Sequence, residues 1–148
     1  MNAEEPFGGR ILVADSTVWA KLPKAPAEVQ ESVQRAIKAG QIRGSTIVTM
    51  ELLRGTSDRE AFERRRAQMD SLLVLPVTRT VCERAIGCLV ELATTGSPGN
   101  HRVDLGDLLI TATAADSGCD VLHYDGDFDK LAPAMDCESV WFARRGSI

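Results

Sequence analysis

Three acidic residues of this sequence adjoin or interrupt apolar stretches, which is unusual for charged side chains. Asp15 directly follows a short apolar run, Glu51 stands inside the apolar segment 47–53, and Asp107 precedes the almost uniformly apolar segment 108–115. Surface helices carry their acids among other polar residues, whereas a helix that is apolar on nearly every face lies at the centre of a fold. We therefore expect these three carboxylates to share a site inside the molecule.

A further acidic pair, Asp125 and Asp127, follows the apolar run at 120–124, with one glycine between the two acids. Each acid also has a purely structural interpretation. These are an N-cap for Asp15, a charge at a helix N-terminus for Asp107, a turn residue for Asp125 and an exposed helical acid for Glu51. None of the four is decisive alone, so the prediction of a shared site depends on their joint placement.

Clustered carboxylates need a compensating charge. Two of them about 5 Å apart repel by roughly 3 kcal/mol at an effective dielectric of 20. A group of three or four must therefore take up protons or bind a cation. Because all the candidate ligands are oxygens, without a neighbouring Cys or His pair, the pattern favours Mg²⁺ or Mn²⁺. Such an ion polarises phosphate oxygens and activates water, which is the chemistry of phosphodiester hydrolysis.

The composition is that of an ordinary globular chain of 148 residues, 44% hydrophobic and 26% charged. Its net charge of −4 argues mildly against a nucleic-acid substrate, unless several acids are gathered around a metal ion. The four cysteines lack the short spacings of zinc sites. No apolar run approaches the roughly 20 residues that a membrane span requires, and the first ten residues do not resemble a secretory signal. We expect a cytoplasmic protein that makes no contact with a membrane.

Apolar runs and helical periodicities alternate along the chain, and this order predicts an α/β fold with a mainly parallel central sheet flanked by helices. Residues 1–9 form a predicted flexible lead-in, and residues 10–148 form one domain. In parallel sheets, ligands bind beyond the carboxyl ends of the strands, where Asp15 and Asp125 are expected. The predicted strands are 10–14, 41–43, 72–77, 120–124 and 139–142. The predicted helices are 16–20, 26–40, 45–55, 58–70 with Ser57 as cap, 78–94, 105–117 and 128–131.

Four ordered segments of the sequence resemble the motifs of a known family. They are LVADST at 12–17, IVTMELLRG at 47–55, DLLITATA at 107–114 and LHYDGDF at 122–128. Together they resemble the PIN-domain ribonucleases, and among these the VapC-type toxins of bacterial toxin–antitoxin pairs. The resemblance spans about residues 10–132, and its most specific parts are the third segment and the closing Asp-x-Asp-Phe.

The resemblance implies a single PIN-like domain that acts as a Mg²⁺- or Mn²⁺-dependent endoribonuclease on RNA, often transfer or ribosomal RNA. It also implies a homodimer that is inhibited by a small VapB-type antitoxin in its active-site groove. Matched by position, Asp15 and Asp107 would be the principal metal ligands. Glu51, with Asp125 or Asp127, would complete the set directly or through water. Three hydroxyl residues would be hydrogen-bonding neighbours of the site: Ser16, Thr17 and Thr113.

Basic residues near the acids are candidate phosphate contacts. Arg54 lies one helical turn after Glu51, and Arg102 lies shortly before Asp107. The run Arg64–Arg66 follows Glu60 and Glu63, a spacing that favours a solvated, salt-bridged face over an RNA-binding patch.

Two other functions compete with the nuclease interpretation. One is a catalytically idle PIN-type module that binds RNA or protein, which the presence of all four acids disfavours. The other is a phospho-acceptor receiver domain. That domain needs a lysine near its acids, and the only lysine in the C-terminal half, Lys130, lies beyond the Asp125 turn.

Overall fold

The computed structural model describes residues 5–148, and its centre is a five-stranded sheet in which every strand pair is parallel. The strand order is β3-β2-β1-β4-β5. The strands are β1 (Leu12–Ala14), β2 (Ile42–Ser45), β3 (Leu73–Leu75), β4 (Asp120–His123) and β5 (Ser139–Trp141). The central strand β1 is at most 1% exposed, because helices cover both faces of the sheet.

Helices connect successive strands in this part of the chain. They are α1 (Ser16–Lys21), α2 (Ala27–Lys38), α3 (Thr46–Arg54), α4 (Arg59–Asp70), α5 (Arg79–Thr94), α6 (Leu105–Asp116) and α7 (Phe128–Ala134). Pro6–Gly9 and Leu22–Lys24 form short 3-10 helices. The predicted α/β class with a parallel central sheet is therefore confirmed.

Several boundaries differ from the sequence prediction, for local reasons. The cap of α4 is Asp58, whose Oδ1 accepts a hydrogen bond from Ala61 N (3.0 Å), so the prediction of Ser57 as cap is wrong. Strand β3 is shorter than the predicted 72–77 because it is an edge strand, with Leu73 exposed to solvent. Residues 1–4 of the predicted lead-in lie outside the described residues. Within the rest of it, the Pro6 carbonyl accepts a hydrogen bond from Gln41 Nε2 (2.9 Å).

The topology brings the ends of several elements to one edge of the sheet. Strands β1 and β4 are neighbours in register, with Ala14 opposite Leu122, so the residues after them leave the sheet side by side. The backbone of Asp15 continues this pairing, since its N–H donates to Leu122 O (2.8 Å). Helix α3 starts from the carboxyl end of β2, the other neighbour of β1, and α6 runs back toward β4. Among the described residues, no helix is long and apolar enough to cross a membrane.

Candidate metal centre

Asp15 is held between the end of β1 and the start of α1, and it is 1% exposed. Its Oδ2 caps α1 by accepting hydrogen bonds from Thr17 N (3.1 Å) and Thr17 Oγ1 (2.7 Å). Its Oδ1 is buried and has no hydrogen-bond partner among residues 5–148. The predicted capping role is therefore real, but it uses only one of the two carboxylate oxygens.

Thr17 ties this first acid to the neighbouring strand. Its hydroxyl donates to Asp15 and accepts a hydrogen bond from Tyr124 N (2.9 Å), directly after β4. One side chain thus fixes the spacing between the Asp15 carboxylate and the turn that carries Asp125.

Asp107 lies in the first turn of α6, but it does not cap the helix. The cap is Asp104, whose Oδ1 accepts a hydrogen bond from Asp107 N (2.9 Å), so the Asp107 carboxylate is left free to face the site. Thr111 donates to the carbonyl of Asp107 (2.8 Å). Thr113 is buried, and its hydroxyl donates to Leu109 O (2.7 Å) within the helix. No described hydrogen bond links Thr113 to the acids.

The turn after β4 brings two more acids to Asp107. One carboxylate oxygen each from Asp107, Asp125 and Asp127 lies within 4.8 Å of the other two. Asp125 Oδ1 also accepts a hydrogen bond from Asp127 N (3.0 Å), so the predicted turn role of Asp125 is present as well. Asp127 is exposed and Asp125 is half-buried. The charge of Asp125 also raises the pKa of Asp15, to a smaller extent than burial does.

A buried histidine holds this turn in place, in agreement with the structural role that its position on an apolar strand predicts. The backbone N–H of Asp125 donates to His123 Nδ1 (3.0 Å), and His123 Nε2 lies 2.5 Å from Ser139 Oγ. Ser139 in turn donates to Asp129 Oδ1 (2.5 Å). Burial lowers the pKa of His123 to about 4, against the opposing effects of Asp129 and Asp125, so the ring is neutral. Because Nδ1 accepts a hydrogen bond from Asp125 N, the ring proton is on Nε2.

Glu51 reaches the cluster from α3. Its Oε1 is buried and has no hydrogen-bond partner among the described residues. Its Oε2 lies close to α6, where a Cβ on Gly106 would come within 3.1 Å of this oxygen. The absence of a side chain at Gly106 therefore lets Glu51 approach the first turn of α6. Ser16 and Arg54 line the same cavity as Glu51, and both oppose the burial that raises the pKa of its carboxyl group.

The carboxylates are strongly coupled. The pKa of Asp107 is raised to about 8, first by burial and then by the charges of Asp15, Asp104, Asp125 and Glu51. Burial also raises the pKa of Asp15, against its hydrogen bonds to Thr17, and raises the pKa of Glu51, to which the charge of Asp15 adds. The cluster is therefore costly to ionise without a compensating cation.

The donor set fits a hard divalent cation. Two carboxylate oxygens, Oδ1 of Asp15 and Oε1 of Glu51, are removed from water without a protein partner in the described part of the chain. Buried polar atoms are nearly always satisfied, so these two oxygens point to a missing ligand. Every donor in the cluster is an oxygen, and such sets suit Mg²⁺ or Mn²⁺ better than zinc.

The two predicted phosphate-binding arginines lie in different surroundings. Arg54 and Glu51 line a cavity of about 400 Å³, together with Ser16 and Thr17. They also line a second cavity of about 480 Å³ that reaches Met50 and Leu109. Arg102 is exposed in the loop before α6, where its backbone N–H donates to Gly99 O (2.9 Å). Arg102 lines neither of the two cavities that contain Glu51.

Comparison with known proteins agrees with this architecture. The family model of the PIN domain matches residues 12–133. Ribonuclease VapC18 of Mycobacterium tuberculosis is 28% identical over 138 residues, which are 93% of this chain and 99% of that relative. Ribonuclease VapC51 of the same organism is 28% identical over 134 residues, or 90% of this chain and 94% of the relative. The DNA-bound VapBC complex from Salmonella typhimurium matches with a TM-score of 0.68 at 20% identity, covering 89% of this chain and 98% of the matched chain. The resemblance carried by the sequence motifs is thus confirmed, and this chain belongs to the PIN-domain family.

Proposed function

We propose that this chain is a metal-dependent endoribonuclease and the toxin of a type II toxin–antitoxin pair. The observation that carries the proposal is the acidic cluster beyond β1 and β4. In it, Asp15 and Glu51 each keep one buried oxygen that no residue of the range 5–148 hydrogen-bonds. The curated relatives, which are named ribonucleases, support RNA as the substrate.

In this proposal, Asp15 and Asp107 are the principal ligands of Mg²⁺ or Mn²⁺. Glu51, with Asp125 or Asp127, completes the set directly or through water. The bound cation supplies charge neutralisation of a phosphate oxygen and a lowered pKa for a coordinated water. We favour Asp125 over Asp127 as the fourth acid, because Asp125 is the one whose charge acts on both Asp15 and Asp107.

The protein residues have separate tasks in hydrolysis. Thr17 orients the Asp15 carboxylate, and His123 holds the backbone of Asp125. Water that attacks the phosphorus must lose a proton, and a carboxylate has to accept it, because the nitrogen atoms of His123 are already hydrogen-bonded within the core. Glu51 fits that task, since it lies beside the cavity and burial raises its pKa.

We further propose that a VapB-type antitoxin inhibits the enzyme by filling the groove beside Glu51. The cavity that reaches Ile47, Met50 and Leu109 offers apolar contacts for such a partner, and Met50 is 54% exposed. A homodimer is supported by Ile86 and Val90, two exposed apolar side chains one helical turn apart on α5. A toxin of this kind would act on transfer or ribosomal RNA, so we propose a cytoplasmic location.

The activity is tested by incubating the protein with total bacterial RNA in EDTA, and then after addition of Mg²⁺ or Mn²⁺. We expect discrete cleavage products only with the metal ion, and none from Asp15→Asn or Asp107→Asn. Asp70→Asn is the matched control, because Asp70 is an exposed acid paired with Arg66 outside the cluster. Cleavage by Asp15→Asn at the wild-type rate would contradict the proposed site. RNA binding without cleavage by the wild-type protein would instead indicate a catalytically idle module.

The toxin role has its own test in cells. Expression of the chain alone should arrest growth, and expression of a neighbouring antitoxin-type gene should restore it. Growth arrest by Asp107→Asn at equal expression would separate toxicity from cleavage and contradict the proposed mechanism.

A further inference from the structure

Three consecutive arginines on α4 differ in their surroundings. Arg64 pairs with Glu60 (3.9 Å) and Arg66 pairs with Asp70 (2.9 Å), each one helical turn away. Arg65 donates to Gln68 Oε1 (2.8 Å), and no carboxylate among residues 5–148 lies within 4.0 Å of its guanidinium. It is also the only half-buried member of the three. The sequence prediction of a salt-bridged face is thus correct for Arg64 and Arg66 and wrong for Arg65.

Arg65 faces a groove that leads to the acidic cluster. It lines the cavity of about 400 Å³ that also contains Ser16, Thr17, Glu51 and Arg54. A neighbouring cavity of about 450 Å³ lies along α4 and shares Thr56 and Arg65 with the cavity of about 400 Å³. One surface depression therefore joins the Glu51 carboxylate to a guanidinium that has no anionic partner in the described chain.

We propose that Arg65 is an RNA-binding residue that contacts a backbone phosphate of the strand flanking the cleaved bond. This inference rests on the proposed ribonuclease function. A guanidinium presents five N–H donors in a planar fork that matches phosphate oxygens, and Gln68 uses only part of that set. The need for such a contact follows from the net charge of −4, because an acidic protein must gather its cations along the path of the RNA.

The position in the groove favours RNA over an acidic segment of a partner protein. Arg54 and Arg65 both line the cavity that contains Glu51. An RNA strand whose scissile phosphate reaches the carboxylates would thus meet two guanidinium groups in this cavity. The other side of Glu51 is more apolar, with Ile47, Met50 and Leu109, and suits bases or side chains.

The test compares Arg65→Ala with Arg66→Ala, two neighbours on one helix that lose the same charge. The substrate is a single-stranded RNA of about 20 nucleotides that contains a cleavage site mapped with the wild-type protein. We expect Arg65→Ala to raise KM about three- to tenfold with little change in kcat, and to reduce the salt slope of log(kcat/KM) by about 0.7, as for one lost phosphate contact. Arg66→Ala should change KM less than about twofold, because exposed ion pairs contribute little.

A second arm maps the contact along the RNA. The RNA is shortened stepwise from each end. Removal of nucleotides on one side of the cleaved bond should abolish the effect of Arg65→Ala on KM, and removal on the other side should not. Equal KM values for Arg65→Ala and Arg66→Ala, with intact cleavage by the wild-type protein, would overturn the inference and leave the proposed function standing. Unchanged RNA kinetics together with weaker antitoxin binding by Arg65→Ala would assign the groove to a protein partner instead. Absence of any RNA cleavage by the wild-type protein would refute both proposals.

Discussion

Asp107→Asn should make the metal-free protein more stable while it removes the response to divalent cations. The Asp107 carboxylate lies within 4.8 Å of those of Asp125 and Asp127, and Asp15 and Glu51 also act on it. Two unit charges at that distance repel by about 3.5 kcal/mol at an effective dielectric of 20. Because Asp107 is partly exposed and solvent screens these charges, we expect a net gain of about 2 kcal/mol. For a domain of this size, that gain corresponds to a rise of about 4–8 °C in Tm.

The gain should depend on pH with a defined sign. Burial and the neighbouring acids raise the pKa of Asp107 to about 8, far above the usual value for an aspartate. A carboxyl group with a raised pKa stabilises the folded state below its unfolded pKa, and that contribution is lost as the pH rises toward the folded pKa. Asparagine does not titrate. The difference in free energy of unfolding between Asp107→Asn and wild type should therefore be small near pH 4, grow toward pH 8, and then level off.

Thermal unfolding at pH 5 and pH 8, in EDTA and in excess Mg²⁺, measures both effects. Wild type should gain Tm on addition of Mg²⁺, and Asp107→Asn should gain little, because the cation binds the folded state through this carboxylate. Asp70→Asn, an exposed acid outside the cluster, should match wild type under all four conditions. A variant less stable than wild type at pH 8 in EDTA, or equally stabilised at both pH values, would refute the electrostatic reasoning.

Three further predictions concern the elements around the cluster. Gly106→Ala places a Cβ 3.0 Å from Asp104 Oδ1, which caps α6, and 3.1 Å from Glu51 Oε2. We expect cleavage to fall about tenfold, because both carboxylates at the first turn of α6 must shift. A rate equal to that of wild type would show that this close approach does not position the acids. Thr17→Val removes the hydroxyl that joins Asp15 to Tyr124 N, and it should lower the free energy of unfolding in urea by about 1–3 kcal/mol. Thr17→Ser keeps the hydroxyl and should retain most of the stability. Equal losses in both variants would contradict this bridging role. Ile86→Glu on the exposed face of α5 should convert a dimer to a monomer in sedimentation analysis, and an unchanged dimer would place the interface elsewhere.

Much of the fold could be predicted from the sequence, because apolar runs and helical periodicities are local signals. The strand before Asp15 and the helix after Asp107 follow directly from such patterns, and the structure has both. The convergence of the acids was also predictable, since residues that follow parallel neighbouring strands leave the sheet at one edge. The choice between Ser57 and Asp58 as cap was not, because both residue types cap helices well and the outcome depends on one residue of register.

The missing parts of the site depend on contacts between distant segments. The hydrogen bond from Asp125 N to His123 is local, but β5 brings Ser139 to the other ring nitrogen of His123. The close approach of Glu51 to Gly106 requires α3 to pack against the first turn of α6. The spacing of Glu60 and Glu63 before the arginines predicted a salt-bridged face, and Arg64 does pair with Glu60, whereas Arg66 pairs with Asp70 instead. The rotation of the helix about its axis decides that Arg65 faces the groove.

The central claim is that these carboxylates form one divalent-cation site, and Mn²⁺ binding tests it most directly. The electron paramagnetic resonance signal of free Mn²⁺ falls as the ion binds, so a titration counts sites without reference to any RNA. We expect saturable binding of Mn²⁺ to wild type and to Asp70→Asn. Binding to Asp15→Asn and Asp107→Asn should be at least about tenfold weaker, as expected when a ligand of a metal site is lost. Equal Mn²⁺ affinity in wild type and in both cluster variants would contradict a shared cation site.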